Sequence, residues 1–534
     1  MSIPELAKIL GLLAAVIALA ELAKKTRVPY PTLMVMAGLL ISVMPGMPKV
    51  DLDPDLVFLV FLPPILYAAA WNTWFEDFRR HAGPISFLAV GLVLATALLV
   101  AQICVMVIPG MGWWHGFLLG AIVSPPDAAA ATAICQRLGV SRRIVTVLEG
   151  ESLVNDASGL IAYRVAIVAI TVGAFSPLET AWSFFIASGG GIAVGLVAGI
   201  IIAQLHKRVR DPMVTTALSL LAPFAAYLPA EAFHVSGVLS TVAAGLYVSR
   251  RSPQIFSPTA RIQAVHVWEL AMLLINGVVF VLIGLQLDDV IEAVKHEYTL
   301  GQLAWYATAV SLAVIAIRLI WVFPVARLLQ FAIAPWKRIS LPDNRQMLVI
   351  GWTGMRGIVS LAAALAIPMF VMADERTKVS FEFRNLIVLL TFAVIFSTLV
   401  IQSLTLGPLI RWLGESVQEG GKHEDLIARM VVANAALTKL DTFAADGPDG
   451  AIITRVRAEY LERLEAATRQ ASGEEEGSSS GRSPVEESFR RMAIAEERTA
   501  LIRLRDSGEV SEEVFRTIER ELDLEETRLW NHTA

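Results

Sequence analysis

Apolar residues along this chain run in long blocks, most of them near the ~20 residues needed to cross a hydrocarbon layer, with short polar stretches between them. Thirteen blocks are readable, at roughly 4–23, 31–45, 55–71, 84–108, 113–136, 146–173, 179–205, 212–230, 235–249, 266–287, 301–328, 346–370 and 385–411. The pattern predicts an all-α polytopic membrane protein with about 13 transmembrane helices.

Past residue 412 the pattern changes. HEDLIARMVVANAALTKL, VEESFRRMAIAEERTALIRLRDSGEV and VFRTIERELDLEETRLW set apolar residues at helical spacing among mixed charges. They predict amphipathic helices. SGEEEGSSSGRSP reads as a flexible linker over 472–484. The chain therefore divides into a transmembrane domain, 1–411, and a cytoplasmic helical tail, 412–534. The tail carries no ligand motif; a packing or dimer-contact role and a regulatory role both stay open.

The polar connections orient the spans. Lys24, Lys25 and Arg27 follow the first span; Arg79 and Arg80 the third; Arg137, Arg142 and Arg143 the fifth. Lys207, Arg208 and Arg210 follow the seventh, Arg250, Arg251 and Arg261 the ninth, and Lys337, Arg338 and Arg345 the eleventh. Even-numbered connections hold only Lys49 and Lys295, until the last brings Arg376 and Lys378 beside acids. Under the positive-inside rule the amino terminus lies outside and the carboxyl terminus in the cytoplasm. Ala18-Leu19-Ala20 resembles a cleavage site, but the preceding residues lack a basic cluster, so the first block is read as a retained span.

Composition agrees with this reading and narrows the function. The chain is 55% hydrophobic and 17% charged, against about 25% charged for soluble domains. A net charge of −5 gives no basis for a nucleic-acid partner. Cys104 and Cys135 sit far apart in apolar surroundings and are expected to be packing thiols.

Charges at bilayer depth are costly and mark function. In GESLVNDASGL, Gly150 to Leu160, Asp156 falls about 15 Å along its helix from the inner end, near the midplane. Asp127 and Arg356, on two other spans, reach similar depth, and Glu151 lies nearer the cytoplasm. Ser152 shares a helical face with Asp156, and Asn155 adds another oxygen. Arg356 keeps its proton and is expected to neutralise a carboxylate, with Glu151 as its structural partner. Asp127 is open between capping a helix end and serving the ion path. Arg164 and Arg318 are open between pairing and snorkelling.

Two spans are interrupted. Pro125-Pro126 removes two backbone donors in the fifth, and Gly351, Gly354 and Gly357 surround Arg356 in the twelfth. With the seventh span set between two six-helix halves, each interruption falls in the fifth span of its half, and the halves run in opposite directions. Such paired breaks in inverted repeats point to a transporter's central site. The Ser188–Gly199 stretch has small-residue spacing that predicts close helix packing.

GESLVNDASGLIAY, FLPPILYAAAW, SPPDAAAATAI and GWTGMRGIVSLAAAL together resemble four blocks of the sodium/proton exchanger family of monovalent cation:proton antiporters in its bacterial form. The resemblance covers about residues 1–411. It implies two crossing broken helices, a mobile core (spans about 84–173 and 301–411), dimerisation spans (about 1–71 and 212–287) and a homodimer working by alternating access. It implies that Asp156 binds cation or proton, Asn155 supports it, Ser152 is a cation ligand, and Glu151 and Arg356 pair. Ala68-Ala69-Ala70 stands where many relatives carry a carboxylate, and Pro125-Pro126-Asp127 departs from the Asp-before-Pro of others.

The expected activity is exchange of Na⁺ for H⁺ across the bacterial cytoplasmic membrane, serving pH homeostasis. Desolvation penalises a buried charge, so proton and cation would compete at Asp156. Asn155, in place of a second acid, suggests by resemblance a one-for-one electroneutral exchange. Li⁺ or K⁺ in place of Na⁺, and an uncoupled cation channel, are the alternatives. No catalytic pairing or phosphate loop is present in the sequence, so neither enzyme chemistry nor a cofactor is expected.

Overall fold

A computed structural model describes residues 3–25, 29–42, 57–73, 78–79, 82–138, 140–172, 177–333, 343–374, 377–414, 420–442, 450–472 and 484–530. Arg27, Lys49, Arg80, Lys337, Arg338, Arg376 and the linker residues 473–483 lie outside these ranges. The chain forms two compact units. The first takes Met1–Leu205, Leu218–Arg251 and Val267–Val417; the second takes His206–Ala217, Ser252–His266 and Gln418–Ala534.

In chain order the helices are α1 (Ile3–Lys25), α2 (Tyr30–Ser42), α3 (Leu62–Asn72), α4 (Ala82–Val107), α5 (Trp113–Val123), α6 (Ala128–Arg137) and α7 (Arg142–Val172). Then come α8 (Pro177–Arg208), α9 (Pro212–Ala232), α10 (Gly237–Ile255), α11 (Pro258–Leu285), α12 (Leu287–Val294) and α13 (Leu300–Ile333). The series continues with α14 (Asn344–Trp352), α15 (Ile358–Leu365) and α16 (Arg384–Leu413). Among the described residues, seven helices are long and apolar enough to cross a membrane, and four shorter ones are apolar.

The interrupted spans are split where the sequence predicts. Pro125 and Pro126 separate α5 from α6, and Thr353–Gly357 separates α14 from α15. The small-residue stripe also packs as expected. Side chains on Gly191, Gly195 and Gly199 of α8 would run into Ser236, just ahead of α10, and Ser240 and Ala244 within it. Cys104 and Cys135 are buried free thiols.

One expectation fails. The twelfth span does not continue to 370: α15 stops at Leu365, ahead of Pro368, and a two-stranded antiparallel hairpin follows. β1 (Phe370–Asp374) pairs with β2 (Thr377–Ser380) in the register Phe370↔Ser380, Val371↔Val379 and Met372↔Lys378. Alternating Phe, Met, Thr and Val suits a strand pair; apart from this hairpin the regular elements among the described residues are helical, as expected.

The second unit is built on four tail helices: α17 (Gly420–Leu440), α18 (Gly450–Ser472), α19 (Pro484–Ser507) and α20 (Glu512–Trp530). The second of these is not among the helices expected from the sequence. Ala428, Val432, Ile494, Leu501, Phe515 and Ile518 form one apolar cluster, and Ala436, Leu440, Val456, Tyr460 and Ala493 contribute to another. Burial of these faces, rather than helix propensity, holds such short helices together. Arg261, near the start of α11, is buried in this unit and grips Asp523 of α20 through two nitrogens, with Glu519 at 3.6 Å. Glu497 is buried too, receiving the Tyr460 hydroxyl at 3.1 Å. Desolvation pushes its carboxyl up to about 8, with Glu525 adding to the rise while Arg463, Arg498 and the Tyr460 hydrogen bond oppose it.

Candidate ion-binding site

The continuous helix α7 carries Glu151, Ser152, Asn155 and Asp156, and three of these hold or face the two breaks. Prolines at 125 and 126 cannot donate, so the carbonyls and amides around them need other partners. Asn155 Nδ2 donates to the Pro126 carbonyl at 2.9 Å, and the Ala128 amide donates to Ser152 Oγ at 3.4 Å. Ser124 Oγ turns back to the Ala121 carbonyl at 2.9 Å. Thus α7 pins the break from Pro126 to the start of α6.

The second break reaches the first directly: the Asp127 amide donates to the Met355 carbonyl at 2.7 Å. The Asp127 carboxylate lies against Gly357, at the amino end of α15, where a side chain on Gly357 would collide with it. A carboxylate there offsets the positive end of that helix. It is also close enough to Asp156 for their charges to interact.

The Arg356 amide donates to Thr398 Oγ1 at 3.1 Å. Thr398 opens a π-helical turn within α16 (Thr398–Gln402), a local widening that often accompanies functional positions. Asp156 is 8% exposed, and no donor among the described residues reaches its carboxylate. Asn155 Oδ1 is buried without a hydrogen-bond partner among the described residues. Two acceptor groups, the Asp156 carboxylate and Asn155 Oδ1, therefore stay uncommitted beside the crossing.

The expected Glu151–Arg356 pair is not what forms. Arg318 of α13 takes both Glu151 oxygens, Nη1 at 2.5 Å and Nη2 at 2.8 Å, and its Nε donates to the Ile350 carbonyl at 3.2 Å. Arg356 is fully buried, donates Nη1 to the Gly354 carbonyl at 2.9 Å, and keeps Nε and Nη2 without partners among the described residues. The absence of a side chain at Gly354 leaves room for Arg318, which meets Glu151 in fork geometry. Ser152 Oγ, expected as a cation ligand, accepts the Ala128 amide at 3.4 Å. Arg164 pairs with Glu231 at 3.2 Å, away from this cluster.

The cluster's charges are nearly balanced. Among the described residues of the first unit, the buried carboxylates and guanidiniums are Glu151, Asp156, Arg318 and Arg356, two acids against two bases. Half-buried Asp127 leaves one negative charge over.

Comparison with known proteins gives this arrangement a relationship. Residues 11–412 match the family described as sodium/hydrogen exchanger, transmembrane. An uncharacterized Na⁺/H⁺ exchanger of Mycobacterium tuberculosis is 34% identical over 536 residues, covering 98% of this chain and 95% of the relative. A sodium, potassium, lithium and rubidium/H⁺ antiporter of Bacillus subtilis is 30% identical over 506 residues, covering 92% and 73%. The fold is similar to that of the sodium proton antiporter MjNhaP1 from Methanocaldococcus jannaschii, with a TM-score of 0.59 at 19% identity over 77% of this chain and 98% of that one. With the two broken helices meeting at Asp127 and Met355 inside the matched region, the chain belongs to the sodium/hydrogen exchanger family.

Proposed function

We propose that Asp156 is where a monovalent cation and a proton compete, and that the chain exchanges Na⁺ for H⁺ there, one for one. Membership of the family makes the protein a multi-pass cation/proton antiporter; the position, stoichiometry and cycle are our reading. One observation carries it. Asp156 is buried and receives no hydrogen bond from the described residues, beside the crossing of two broken helices, next to the uncommitted Asn155 Oδ1. A bare carboxylate in such surroundings needs a positive partner, and either a proton or a hard cation bound through oxygen supplies one.

The charge balance supports electroneutral exchange. A cluster with one negative charge over is neutralised by a single Na⁺ or a single H⁺, so each loaded form crosses without net charge. Only the neutralised forms escape the cost of moving a bare charge through hydrocarbon, which couples the two fluxes and gives alternating access. Asp127 is read as the cap of α15 and as electrostatic company for Asp156. Asn155 and Ser152 hold the break, with Asn155 Oδ1 rather than Ser152 Oγ as the second oxygen for the cation.

The remaining architecture follows this reading. Counting α5/α6, α14/α15 and α11/α12 as one crossing each supports thirteen spans in inverted repeats. The basic residues Lys25, Arg79 and Arg137 support an external amino terminus and a cytoplasmic tail in a bacterial cytoplasmic membrane. The mobile core, the dimerisation spans and the homodimer are adopted from the family resemblance. K⁺ is a second candidate cation, since the Bacillus subtilis relative is named for four alkali cations.

In proteoliposomes, an imposed Na⁺ gradient is expected to drive proton movement, and Asp156→Asn to abolish it while the protein still purifies folded. Appreciable exchange by that variant would refute the assignment. A response to K⁺ alone would replace Na⁺ as substrate, and cation flux without proton movement would favour an uncoupled channel.

A further inference from the structure

A groove of about 420 Å³ lies between α13, α14 and α16, lined by Leu319, Leu348, Trp352, Thr405, Pro408, Leu409 and Trp412. Its two walls follow from helical spacing. On α14, Arg345, Leu348 and Trp352 succeed one another at three and four residues, so they share a face. On α16, Thr405, Leu409 and Trp412 do the same. The seven positions from Thr405 to Trp412 give it a length of about 10 Å. Trp352 Nε1 donates to Thr405 Oγ1 at 3.0 Å and ties the walls together at one end.

The other end is basic. Arg345 Nη1 donates to the Leu413 carbonyl at 2.8 Å, which fixes it beside the end of α16, and Arg411, next to Trp412 in sequence, is exposed like Arg345. Trp412 stands 78% exposed between the charged end and the apolar walls. Asp343, the acid that precedes α14, is spent on the Asn344 amide at the start of that helix. An apolar slot in membrane-crossing helices, with an exposed tryptophan and two arginines at one mouth, matches a molecule with a hydrocarbon body and an anionic head.

We propose that this groove seats one acyl chain of an anionic phospholipid, with Arg411 and Arg345 at its phosphate. The arginine fork suits phosphate oxygens, and Trp412 suits the boundary between chain and headgroup. The occupied groove would brace α14, which runs straight into the second break, and Leu319, which follows Arg318 in sequence. This rests on the chain spanning a membrane and not on what it carries across.

The test uses purified full-length protein titrated with phosphatidylglycerol or phosphatidylcholine of matched chains, with bound lipid counted by native mass spectrometry. The wild type is expected to retain one phosphatidylglycerol about fivefold better than phosphatidylcholine, and Arg411→Gln to remove that preference. Leu409→Trp, which fills the slot, is expected to lower retention of both lipids. A phosphatidylglycerol carrying a photoreactive acyl chain is expected to label residues 348–352 and 405–412 of the wild type, a readout that no variant's folding affects. Labelling elsewhere, equal retention of the two lipids by the wild type, or retention unchanged by both substitutions would each overturn the proposal. So would loss of a dimer in Leu409→Trp with lipid retention intact, which would assign the groove to a second copy of the chain.

Discussion

Arg318 and Glu151, 167 positions apart, meet as a two-pronged ion pair with both side chains 1% exposed. The pair ties α13 to α7 directly beside the crossing of the broken helices. Arg356, held a short way off by the Gly354 carbonyl, is left with two donors unpartnered among the described residues. Of the cluster's acids, Glu151 is the one held by an arginine fork.

That asymmetry orders two substitutions. Arg318→Leu leaves Glu151 with Arg356 as a charged neighbour, whereas Glu151→Gln removes the acid that both arginines feel. Breaking a buried pair costs about 3–5 kcal/mol. Glu151→Gln is expected near the top of that range and Arg318→Leu near the bottom, read as thermal unfolding of the purified protein. The reverse order would mean that Arg356 does not take up the vacated carboxylate.

Asn155→Asp adds a second negative charge beside Asp156 and removes the donor to the Pro126 carbonyl. With a carboxylate in place of the amide, the cluster would need two positive charges to reach neutrality. Exchange by the variant is expected to respond to an imposed membrane potential, while wild-type exchange does not. Asn155→Ala is the control for the lost hydrogen bond alone. If the wild type itself responds to potential, one-for-one exchange is wrong.

Gly357→Ala drives a methyl group into the Asp127 carboxylate. The strain is expected to cost about 1–3 kcal/mol and to reduce exchange steeply. Asp127→Gly in the same background removes the carboxylate and the Cβ that the methyl meets, and should return most of the stability lost to the clash. Failure of that rescue would place the clash elsewhere.

The tail makes a separate prediction about pH. The Glu497 carboxyl, pushed up to about 8 in the folded unit, holds a proton that the unfolded chain gives up near the ordinary glutamate value of about 4.3. Proton binding thus favours the folded tail across that window, and stability falls as pH rises toward about 8, by at most about 1.4 kcal/mol per unit. Amide exchange of the tail helices, corrected for its intrinsic pH dependence, should show the decline. Glu497→Gln should flatten it.

The breaks are legible in the sequence because they are written in backbone chemistry. Proline at 125 and 126 lacks the amide, and glycine at 354 and 357 lacks the side chain, wherever they occur. Asp156 is legible because a charge in a long apolar block is costly in any fold. The partner of Glu151 is not: Arg318 and Arg356 are equal as sequence, and only the approach of Gly354 to Arg318 decides between them. Thr398 is hidden for a related reason, since a π-helical turn alters which face a residue occupies. The acids and bases of the β1–β2 hairpin give it the look of a polar connection. In α18, Ile453, Val456, Tyr460 and Leu464 recur at helical spacing among charged residues, so its stripe is present in the sequence although the expected tail helices leave it out.

Arg261 and Asp523 add a consequence in time. The arginine is buried against an acid that lies 262 positions later in the chain. At roughly 5–20 residues per second, a ribosome needs about 13–50 s to supply it. Until α20 emerges, late in synthesis, Arg261 has neither Asp523 nor Glu519. A chain that stops short of α20 would carry a guanidinium built for burial and no acid from that helix to receive it. The closing of the second unit therefore reports that translation has run through α20.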